Sequence, residues 1–484
     1  MRSQSKSERW ELAVYGVLLA YFAARVVWLA FRMHPYVPPD EVTHIGRVLA
    51  YANVWGIPEN STSGFEYGLL DHRPWLYYWA MARALPLNVF PIPDLFFVRA
   101  VNGLLGLATV TLGILWVRDW CTSAWARVLF AVLATNTLMF TGLAGSVSYD
   151  NGANLLAAAS LLAFTRFRIR RSAEWLLALA ALVLAGCLAK RTFLPLGFLL
   201  AVWLLFRERR QLGGLAEQGR AALREASAGT GALLAVVLLL GAFCLALYGG
   251  NVLQYGRLVP GFGQVVGEQA AMQNRVFARG RILERFHAGE ITIDEARRRA
   301  QRIRHAGDRG DTLFLLKAAQ LPASSVGGRI PYIGQWSWRV LKSSVGYLGH
   351  RRAVKSDRAV YGYTAVFALA ALLLAWRWRP GASGGTPADA AFLALGYALV
   401  LMWFVNYPNY QNSRYIELGL QGRYVFPVLF PIYGLVAYAI GELAPEKARP
   451  WLVAAVAAGY LYGDFPWWLQ QIDAKWFMPP LTRA

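Results

Sequence analysis

The sequence has 484 residues, of which 56% are hydrophobic and only 16% are charged. A soluble chain would carry about 25% charged residues, so the composition excludes an ordinary soluble protein. The net charge of +21 would suit nucleic acid. However, no RNA- or DNA-binding motif accompanies the basic residues, and much of the excess lies in short arginine-rich loops, so we expect no nucleic-acid partner. The three cysteines show no CxxC or Cys/His spacing, which argues against a disulfide framework and a zinc site.

Repeated apolar runs of roughly 17 to 23 residues match the length needed to cross ~30 Å of hydrocarbon. The first run follows Arg2, Lys6 and Arg9, as in a signal peptide, but it contains Arg25 and lacks a small-residue cleavage site, so we expect an uncleaved span. The fifth and sixth runs are short and could form one tight hairpin. We predict an all-α polytopic membrane protein with about eleven spans, near residues 11–33, 96–117, 124–143, 150–166, 173–189, 192–206, 231–249, 359–377, 388–405, 423–441 and 449–465.

Lysine and arginine predict the orientation of these spans. Basic residues concentrate in the loops after the even-numbered spans, as in "RFRIRR" (166–171), "RERR" (207–210, with Arg220 and Arg224 beyond) and "RWR" (377–379). By the positive-inside rule, these loops and the N-terminus are expected on the cytoplasmic side. The predicted parts are an N-terminal transmembrane module (1–249) with a first outer loop (34–95), a long outer-face segment (250–357), and C-terminal helices with an outer tail (358–484).

Both long outer segments contain helical patterns. The first predicts a helix from Val42 to Val54 and an amphipathic helix in "RPWLYYWAMARAL" (73–85), suited to lie in the membrane interface. In the second, Thr292 is a predicted N-cap and Gly307 a predicted stop for a charge-rich helix. The aromatic and basic stretch "RIPYIGQWSWRV" (329–340) suits either sugar binding or an interfacial cap over the bundle.

The stretch "PPDEVTHIGR" (38–47) places two carboxylates and a histidine beside the end of the first span. The prolines discourage helix, so Asp40 is expected to cap the helix that follows, with Glu41 and His44 near the same edge. One interpretation is a capping aspartate beside a solvated glutamate. The other is a general base or a metal-binding pair, because ionisable groups at a membrane are costly and usually functional.

Further charged residues are predicted on the same outer face. Each has a structural alternative: a helix cap for Asp150, snorkelling to headgroups for Lys190 and Arg191, and an interfacial anchor for Arg423. However, the positive-inside rule places arginine on the cytoplasmic side and therefore gives no reason for arginine on the outer face. A phosphate leaving group needs Arg or Lys, and an attacking hydroxyl needs a carboxylate base, so together they predict sugar transfer from a lipid-linked phosphate. The residues concerned are Asp40, Asp150, Lys190, Arg191, Arg414 and Arg423.

Four motifs carry a resemblance to a known family. "DHRPWLYYW" (71–79) resembles the "KPPLYYW" element of the aminoarabinose and protein O-mannosyl transferases, with Arg73 at the lysine position and Trp75 replacing the second proline. "PPDEVTH" (38–44), "SYDNGAN" (148–154) and "QGRYVFP" (421–427) resemble a bacterial family of GT-C-like membrane proteins. The chain therefore resembles the GT-C superfamily of integral membrane glycosyltransferases, which use polyprenyl-phosphate sugars.

The resemblance implies a GT-C-like helical bundle with interfacial helices on its outer face, and an inverting hexosyl- or pentosyltransferase. It would sit in the bacterial cytoplasmic (inner) membrane with its active site on the periplasmic face. The partners implied are a polyprenyl-phosphate sugar donor, a glycan, lipid or protein acceptor, and membrane lipids. Asp40 is the implied base, and Glu41, His44 and Asp150 complete the implied catalytic residues. The residues implied for the donor phosphate are Arg73, Lys190, Arg191, Arg414 and Arg423; those for sugar or acceptor are Tyr149, Tyr407, Tyr424 and Trp75.

No cofactor is expected, although some relatives of this superfamily hold a divalent cation on comparable acidic residues. A Mg²⁺ or Mn²⁺ site would use Asp40, Glu41, His44 and Asp150. Two other functions stay open at this stage. One is a non-catalytic transporter of lipids or lipid-linked sugars on the same scaffold, although matching broken helices in two halves are not evident. The other is a protein O-glycosyltransferase, which differs only in its acceptor.

Overall fold

The computed structural model describes residues 2–61, 64, 67–209, 228–303, 306–322, 327–348, 353–379 and 385–478. These residues are mostly helical, as predicted. The only strands among them are β1 (Tyr347–Leu348) and β2 (Ala353–Val354), which pair antiparallel with Tyr347 opposite Val354. The predicted cytoplasmic residues Arg210, Arg220 and Arg224 lie outside the described residues.

The first half of the chain begins with a long helix and two short ones. The helices are α1 (Arg2–Arg32), α2 (Glu41–Ala52), α3 (Leu76–Ala84), α4 (Asp94–Arg118), α5 (Ala124–Thr135), α6 (Leu138–Ala144), α7 (Tyr149–Arg170), α8 (Ala173–Ala189), α9 (Phe193–Glu208) and α10 (Ala228–Cys244). The helix α7 packs against both α4 and α8, and α1 packs against α4 and α5. These helices share one large buried apolar core, which fixes the position of the start of α7.

The described residues of the segment 250–357 form a series of helices, most of them short. They are α11 (Gly250–Tyr255), α12 (Phe262–Val266), α13 (Glu268–Ala271), α14 (Arg275–His287), α15 (Ile293–Gln301), α16 (Ala306–Ala319) and α17 (Arg329–Gly346). We call α14, α15 and α16 together the cap. The cap has an apolar core of its own, in which Ile282, Ala296 and Leu316 are buried. This core holds the three helices in one arrangement without help from lipid.

The C-terminal part returns to long apolar helices. They are α18 (Asp357–Arg377), α19 (Thr386–Val400), α20 (Tyr407–Ser413), α21 (Leu429–Tyr438), α22 (Arg449–Gly463) and α23 (Phe465–Gln471), with 3₁₀ turns at Gly422–Val428 and Ala474–Trp476. A buried ion pair joins Arg25 of α1 to Asp464 between α22 and α23. The Arg25 guanidinium also donates to the carbonyl of Thr135 at 2.7 Å, so its charge is fully contained inside the bundle.

All eleven predicted spans coincide with helices, and the chain is a multi-pass membrane protein. Six of the described helical segments are long and apolar enough to cross a bilayer, or up to seven if α5 and α6, bent by 60°, form one span. The other segments fall short in length or apolarity; α8, α9 and α22, for example, have 17, 16 and 15 residues. At about 1.5 Å per residue, 15 to 17 residues span about 23 to 26 Å, so thinning or snorkelling must make up the difference.

The helix predictions for the outer segments are largely confirmed. The Val42–Val54 prediction corresponds to α2, and Thr292 does cap α15 by accepting a hydrogen bond from the Glu295 backbone. The predicted stop at Gly307 is wrong. The helix ends at Gln301, and Gly307 lies inside the first turn of α16. Gly307 does not end a helix because a single glycine inside a helix costs only ~1 kcal/mol, which tertiary packing readily offsets.

Candidate active site

Asp40 lies in the turn between the first span and α2. The two preceding prolines keep the chain out of helix, and Asp40 itself adopts a left-handed backbone conformation with φ of 60°. Among non-glycine residues, aspartate and asparagine tolerate this conformation best. The predicted capping role is wrong, because the carboxylate makes no hydrogen bond to the helix start. It instead accepts a hydrogen bond from Arg423 Nη2 at 2.8 Å.

Four charged side chains from four separate segments meet at this point. Arg423 also contacts Asp150 Oδ2 through Nη1 at 3.3 Å, and Asp150 Oδ1 pairs with the Lys190 ammonium. We call Asp40, Asp150, Lys190 and Arg423 the floor. Its two carboxylates and two cations alternate, so each buried charge has an opposite neighbour. Such pairing is needed to keep ionised groups away from water.

The sequence around each floor residue explains its position. Ser148 caps α7 by accepting a hydrogen bond from the Asp150 backbone, which holds Asp150 in the first helical turn. Lys190 ends α8 at the break between the two short helices, and its side chain is only 1% exposed. It therefore does not snorkel to the headgroups. Arg423 is 3% exposed, whereas the Asp40 side chain is 36% exposed.

Gly422 allows Arg423 to reach the floor. A Cβ atom at this position would lie 2.6 Å from the Ser344 backbone nitrogen, closer than real Cβ contacts. The 3₁₀ turn therefore packs directly, backbone to backbone, on α17. The "QGRY" motif combines this close contact with the guanidinium that follows it.

Glu41 is adjacent to Asp40 in sequence but belongs to a different network. Its carboxylate binds Arg99 of α4 through two hydrogen bonds of 2.8 and 2.5 Å and accepts a third from the Val147 backbone at 2.8 Å. Both side chains have no exposed surface. Arg99 also donates to the carbonyls of Ala30 and Met33. The structure thus places Glu41 in a buried brace that joins α1, α2, α4 and the start of α7, and not beside Asp40.

His44 packs behind the floor among aromatic rings. Its Nδ1 lies 2.8 Å from the Tyr78 hydroxyl, and its ring centroid lies 4.7 Å from that of Tyr149. Burial lowers the pKa of the His44 imidazole to about 3, although Asp40 opposes this shift. A neutral imidazole at ordinary pH cannot serve as the proton donor or acceptor that titrates near neutrality.

Three arginines gather on one side of these rings: Arg47, Arg73 and Arg191, which we call the arginine cluster. Arg47 donates to the carbonyl of Tyr67 and to the Tyr78 hydroxyl, and Arg73 donates to the carbonyl of Pro260 at 2.8 Å. Burial lowers the pKa of Arg73 to about 10, and the positive charges of Arg191 and Arg47 contribute to this shift. Among the described residues, no carboxylate forms an ion pair with any of the three. Such an uncompensated cluster suits a bound anion.

A large cavity of about 2170 Å³ opens beside Asp40. Its walls come from the start of α2, the three helices of the cap, and residues 415–421. Arg275 of the cap reaches across it, with Nη2 at 3.7 Å from Asp40 Oδ1 and Nη1 at 2.9 Å from Asp308. Asp40 therefore lines a space large enough for a sugar chain or a lipid headgroup. Tyr67, whose carbonyl accepts a hydrogen bond from Arg47 of the arginine cluster, lines the same space.

The four residues of the predicted metal site do not converge. Asp40 and Asp150 are bridged by a guanidinium, Glu41 is held by Arg99, and His44 faces Tyr78. Within the described parts of the chain, no three His, Cys, Asp or Glu side chains are grouped as metal ligands. The donor set present thus does not fit a divalent cation.

The remaining predicted residues divide between the site and the scaffold. Tyr424 is near the floor, with its ring centroid 5.6 Å from Lys190 Nζ. Trp75 packs edge-on against Phe243 at 5.4 Å, beside the arginine cluster. Tyr407 instead stacks in an aromatic group with Tyr332 and Trp403. Arg414 donates to the carbonyls of Ala319 and Leu321 and fastens the end of the cap.

Several residues of this region are not among those predicted from the sequence, although the sequence context of some of them indicates a special role. Arg99 is a charged residue near the outer end of an apolar span, which by itself predicts a buried partner. Arg47 follows His44 by three positions and therefore shares its helix face. The cap residues Arg275 and Arg279 had no such signal, because only the folding of the outer segment brings them over Asp40.

No protein-family model matches the sequence, and no curated protein matches it. Among solved structures, the chain is similar to ArnT from Cupriavidus metallidurans. The apo form is 14% identical with a TM-score of 0.37 and covers 88% of this chain and 77% of ArnT. The form bound to undecaprenyl phosphate is 16% identical with a TM-score of 0.36.

The chain is also similar to the Archaeoglobus fulgidus oligosaccharyltransferase AglB in complex with an inhibitory peptide and a dolichol-phosphate. That match has 13% identity and a TM-score of 0.42, and covers 94% of this chain but 55% of AglB. The chain thus spans about half the length of that enzyme. ArnT and AglB are GT-C enzymes, the superfamily that the motifs resemble. At these identities and TM-scores the similarity identifies no function, so the functional assignment depends on the geometry of the floor, the arginine cluster and the cavity.

Proposed function

We propose that this protein is an inverting glycosyltransferase of the GT-C type. It would move a sugar from a polyprenyl-phosphate donor to a cell-envelope glycan or lipid on the non-cytoplasmic face of the membrane. The observation that carries the proposal is the position of Asp40. It is the floor carboxylate that lines the cavity, and Tyr67 of the same cavity wall accepts a hydrogen bond from Arg47, one of three arginines that have no ion pair among the described residues.

Exposure distinguishes the two floor carboxylates. Asp40 is 36% exposed and lines the cavity, whereas Asp150 is 1% exposed and is enclosed by Lys190 and Arg423. A general base must come within hydrogen-bond reach of the hydroxyl that it deprotonates. Asp40 is accessible to an acceptor, and Asp150 holds the two cations in place behind it. We therefore assign the base to Asp40 and electrostatic support to Asp150.

The proposed step follows from this arrangement. An acceptor hydroxyl attacks the anomeric carbon of the donor sugar while its proton passes to the Asp40 carboxylate. The bond between the anomeric carbon and the phosphate oxygen breaks, and its electron pair leaves on polyprenyl phosphate. Attack from the side opposite the leaving group inverts the anomeric carbon. The charge gained by the phosphate needs cationic partners, which are worth most in a site with little water.

The arginine cluster is the proposed site for the donor phosphate. Arg47, Arg73 and Arg191 bring three positive charges together without a carboxylate among the described residues. Tyr149 connects this cluster region with the floor, since its ring lies 4.7 Å from His44 and 4.8 Å from Lys190 Nζ. A sugar extending from the phosphate past Tyr149 would bring its anomeric carbon toward Asp40. Lys190 and Arg423, which the motifs associate with phosphate, are instead assigned to the floor.

The surface beside the cluster suits a lipid donor. Trp75 packs on Phe243 of α10, and Phe243 is 41% exposed. Farther along the same helix, Leu238 and Leu239 are also exposed. An apolar path along α3 and α10 would leave a polyprenyl chain in lipid while its phosphate reaches the arginines.

The orientation is supported by the charges at the two ends of α7. Asp150 in the floor lies at one end, and Arg168 near the other end pairs with Asp389, as does Arg207. Eighteen residues of helix separate Asp150 from Arg168, or about 27 Å. Because arginine-rich ends face the cytoplasm, the floor is proposed to face the opposite side of the membrane.

The test uses the purified full chain and a labelled polyprenyl-phosphate sugar. We expect the wild-type protein to transfer or hydrolyse the donor, and Asp40→Asn to lower that rate by roughly 10²- to 10⁴-fold. Asp294→Asn is the matched control, since this cap aspartate is 75% exposed and does not line the cavity. Full activity in Asp40→Asn would disprove the base assignment. An inactive wild-type protein with all common donor sugars would contradict the function.

Chelation provides a separate test. The floor uses Arg423 where a metal would otherwise join Asp40 and Asp150, so we expect treatment with EDTA to leave the rate unchanged. Loss of activity with EDTA and recovery with Mg²⁺ or Mn²⁺ would show that another group of residues binds metal.

A further inference from the structure

The wall of the cavity opposite the floor is strongly basic. Six arginines of α14, α15, α17 and the adjoining turns line it, and three of them have a carboxylate partner. Arg275 pairs with Asp308, Arg299 with Glu295, and Arg339 with Glu417. Within each of these three pairs the two charges neutralise each other.

Three arginines remain after this pairing: Arg279, Arg298 and Arg302, which we call the cap wall. None of them has an ion pair with a described residue. Arg298 and Arg302 are four positions apart on and just after α15, so both point from the same helix face. The opposing unpaired carboxylate is Asp311, which helps to stabilise the charge of Arg279 without forming an ion pair. Three positive charges thus face the cavity against one negative charge.

Arg279 differs from an ordinary surface arginine. It is only partly exposed, and burial lowers its pKa, with Asp311, Asp308 and Asp40 opposing this effect. Keeping an unpaired guanidinium partly out of water costs free energy. The apolar core of the cap fixes the helices that carry it, so Arg279 is held toward the cavity and Asp40. Such a pre-positioned cation becomes favourable when an anion enters the cavity.

We infer that the acceptor carries a phosphate or carboxylate group, which Arg279, Arg298 and Arg302 bind from the cap while an acceptor hydroxyl lies at Asp40. The description of this ligand as the acceptor rests on the proposed function, but the binding of an anion at the cap wall does not. The two binding events use different groups of arginines, since the cap wall lines the cavity and Arg47, Arg73 and Arg191 do not. The donor phosphate uses the arginine cluster, and the acceptor anion uses the cap wall.

Small soluble probes test this inference on the full chain in nanodiscs of phosphatidylcholine. The anionic probes are inorganic phosphate, glycerol phosphate and glucuronate, and the neutral probes are glycerol and glucose. We expect calorimetry to detect the anionic probes and not the neutral ones, with binding weakened by added salt. Preference for glycerol phosphate would indicate a lipid-borne phosphate, and preference for glucuronate an acidic glycan; both support the inference.

Substitutions locate the bound anion. Arg298→Gln and Arg302→Gln are expected to raise the Kd roughly ten-fold, as for loss of a charge-assisted hydrogen bond. Both side chains are exposed, so folding is retained. Arg297→Gln is the matched control, because Arg297 lies on the same helix, pairs with Asp294 and does not line the cavity.

Three results would overturn the inference. They are equal binding of anionic and neutral probes, an equal loss in Arg297→Gln, and a loss in Arg191→Gln without one in Arg302→Gln. The last would assign the anion to the arginine cluster. None of these measurements uses the donor. Anion binding in a protein that fails to transfer sugar would therefore contradict the proposed function and leave the cap wall site intact.

Discussion

The floor and the cap wall are both rich in arginine, but they use it differently. In the floor, Arg423 lies between Asp40 and Asp150 and is 3% exposed. In the cap wall, Arg298 and Arg302 are exposed and have no ion pair among the described residues. A buried cation needs an opposite charge within the protein, because it is removed from water. An exposed cation is solvated by water and can therefore remain unpaired until an anionic ligand binds. The difference suggests that the floor fixes geometry and the cap wall selects a ligand.

The largest expected effect follows from loss of the buried ion pair between Glu41 and Arg99. Arg99→Gln leaves the Glu41 carboxylate buried without its cation, and removal of one partner of a buried pair costs about 3–5 kcal/mol. We expect a corresponding fall in the free energy of unfolding, measured by denaturation in detergent. Arg118→Gln, at the exposed end of the same helix, is the control and should change little. An equal free energy of unfolding in the two variants would show that the ion pair between Glu41 and Arg99 does not stabilise the fold.

The second prediction concerns Arg423 as a residue that positions Asp40. Arg423→Gln should lower kcat by roughly 10²-fold, because a positioned base loses its orientation. It should also move the acid limb of the pH–rate profile to higher pH, since the Asp40 carboxylate loses a positive neighbour.

Arg423→Lys keeps the charge but not the two-carboxylate contact, so it should restore the position of the acid limb more than it restores kcat. A fall in kcat with an unchanged profile in both variants would indicate a purely structural role.

The third prediction tests the arginine cluster without disturbing the fold. Arg191 is exposed, so Arg191→Gln should leave stability unchanged and raise the KM for the polyprenyl-phosphate donor roughly ten-fold. The KM for the acceptor should stay constant. Arg329→Gln is the control, because this exposed arginine is outside both the cluster and the cavity lining. A larger rise in the KM for the acceptor than in the KM for the donor would assign the acceptor to the arginine cluster and the donor phosphate to the cap wall.

The last prediction concerns His44 and the pH dependence of stability. Because burial lowers the pKa of His44 to about 3, the unfolded chain binds a proton below its ordinary pKa of about 6.5 while the folded chain does not. Stability is therefore lost as the pH falls from about 6.5 toward 3, by at most ~1.4 kcal/mol per unit from this group. His44→Gln should show a shallower loss between pH 6.5 and 4. Equal slopes would mean that His44 is protonated in the fold.

Part of this site could be predicted from the sequence. Alternation of basic and non-basic loops placed Asp40, Asp150, Lys190 and Arg423 on one face, and the structure brings these four into contact. The different roles of Asp40 and Glu41 could not be predicted. Both lie at the start of α2, and only the packing of α4 brings Arg99, 58 positions away, to one of them.

The cap shows a second limit. The helix α15 and its Thr292 cap follow from local sequence, but the direction of Arg279 depends on how the three helices pack on one another. The periodicity of a polar helix does not specify that packing, because few apolar positions distinguish one face from the other. From the sequence alone, charged residues in such a segment are equally consistent with a solvent-exposed helix face and with a ligand-binding site.

Gly422 has a consequence for the evolution of this protein. With no side chain between the 3₁₀ turn and the Ser344 backbone of α17, even alanine would force the two segments apart. Lineages that keep the guanidinium of residue 423 should therefore keep glycine before it, and a change at either position should accompany a remodelled α17. Gly422 and Arg423 are therefore expected to be conserved together. The two residues together should identify relatives of this chain more specifically than the arginine alone.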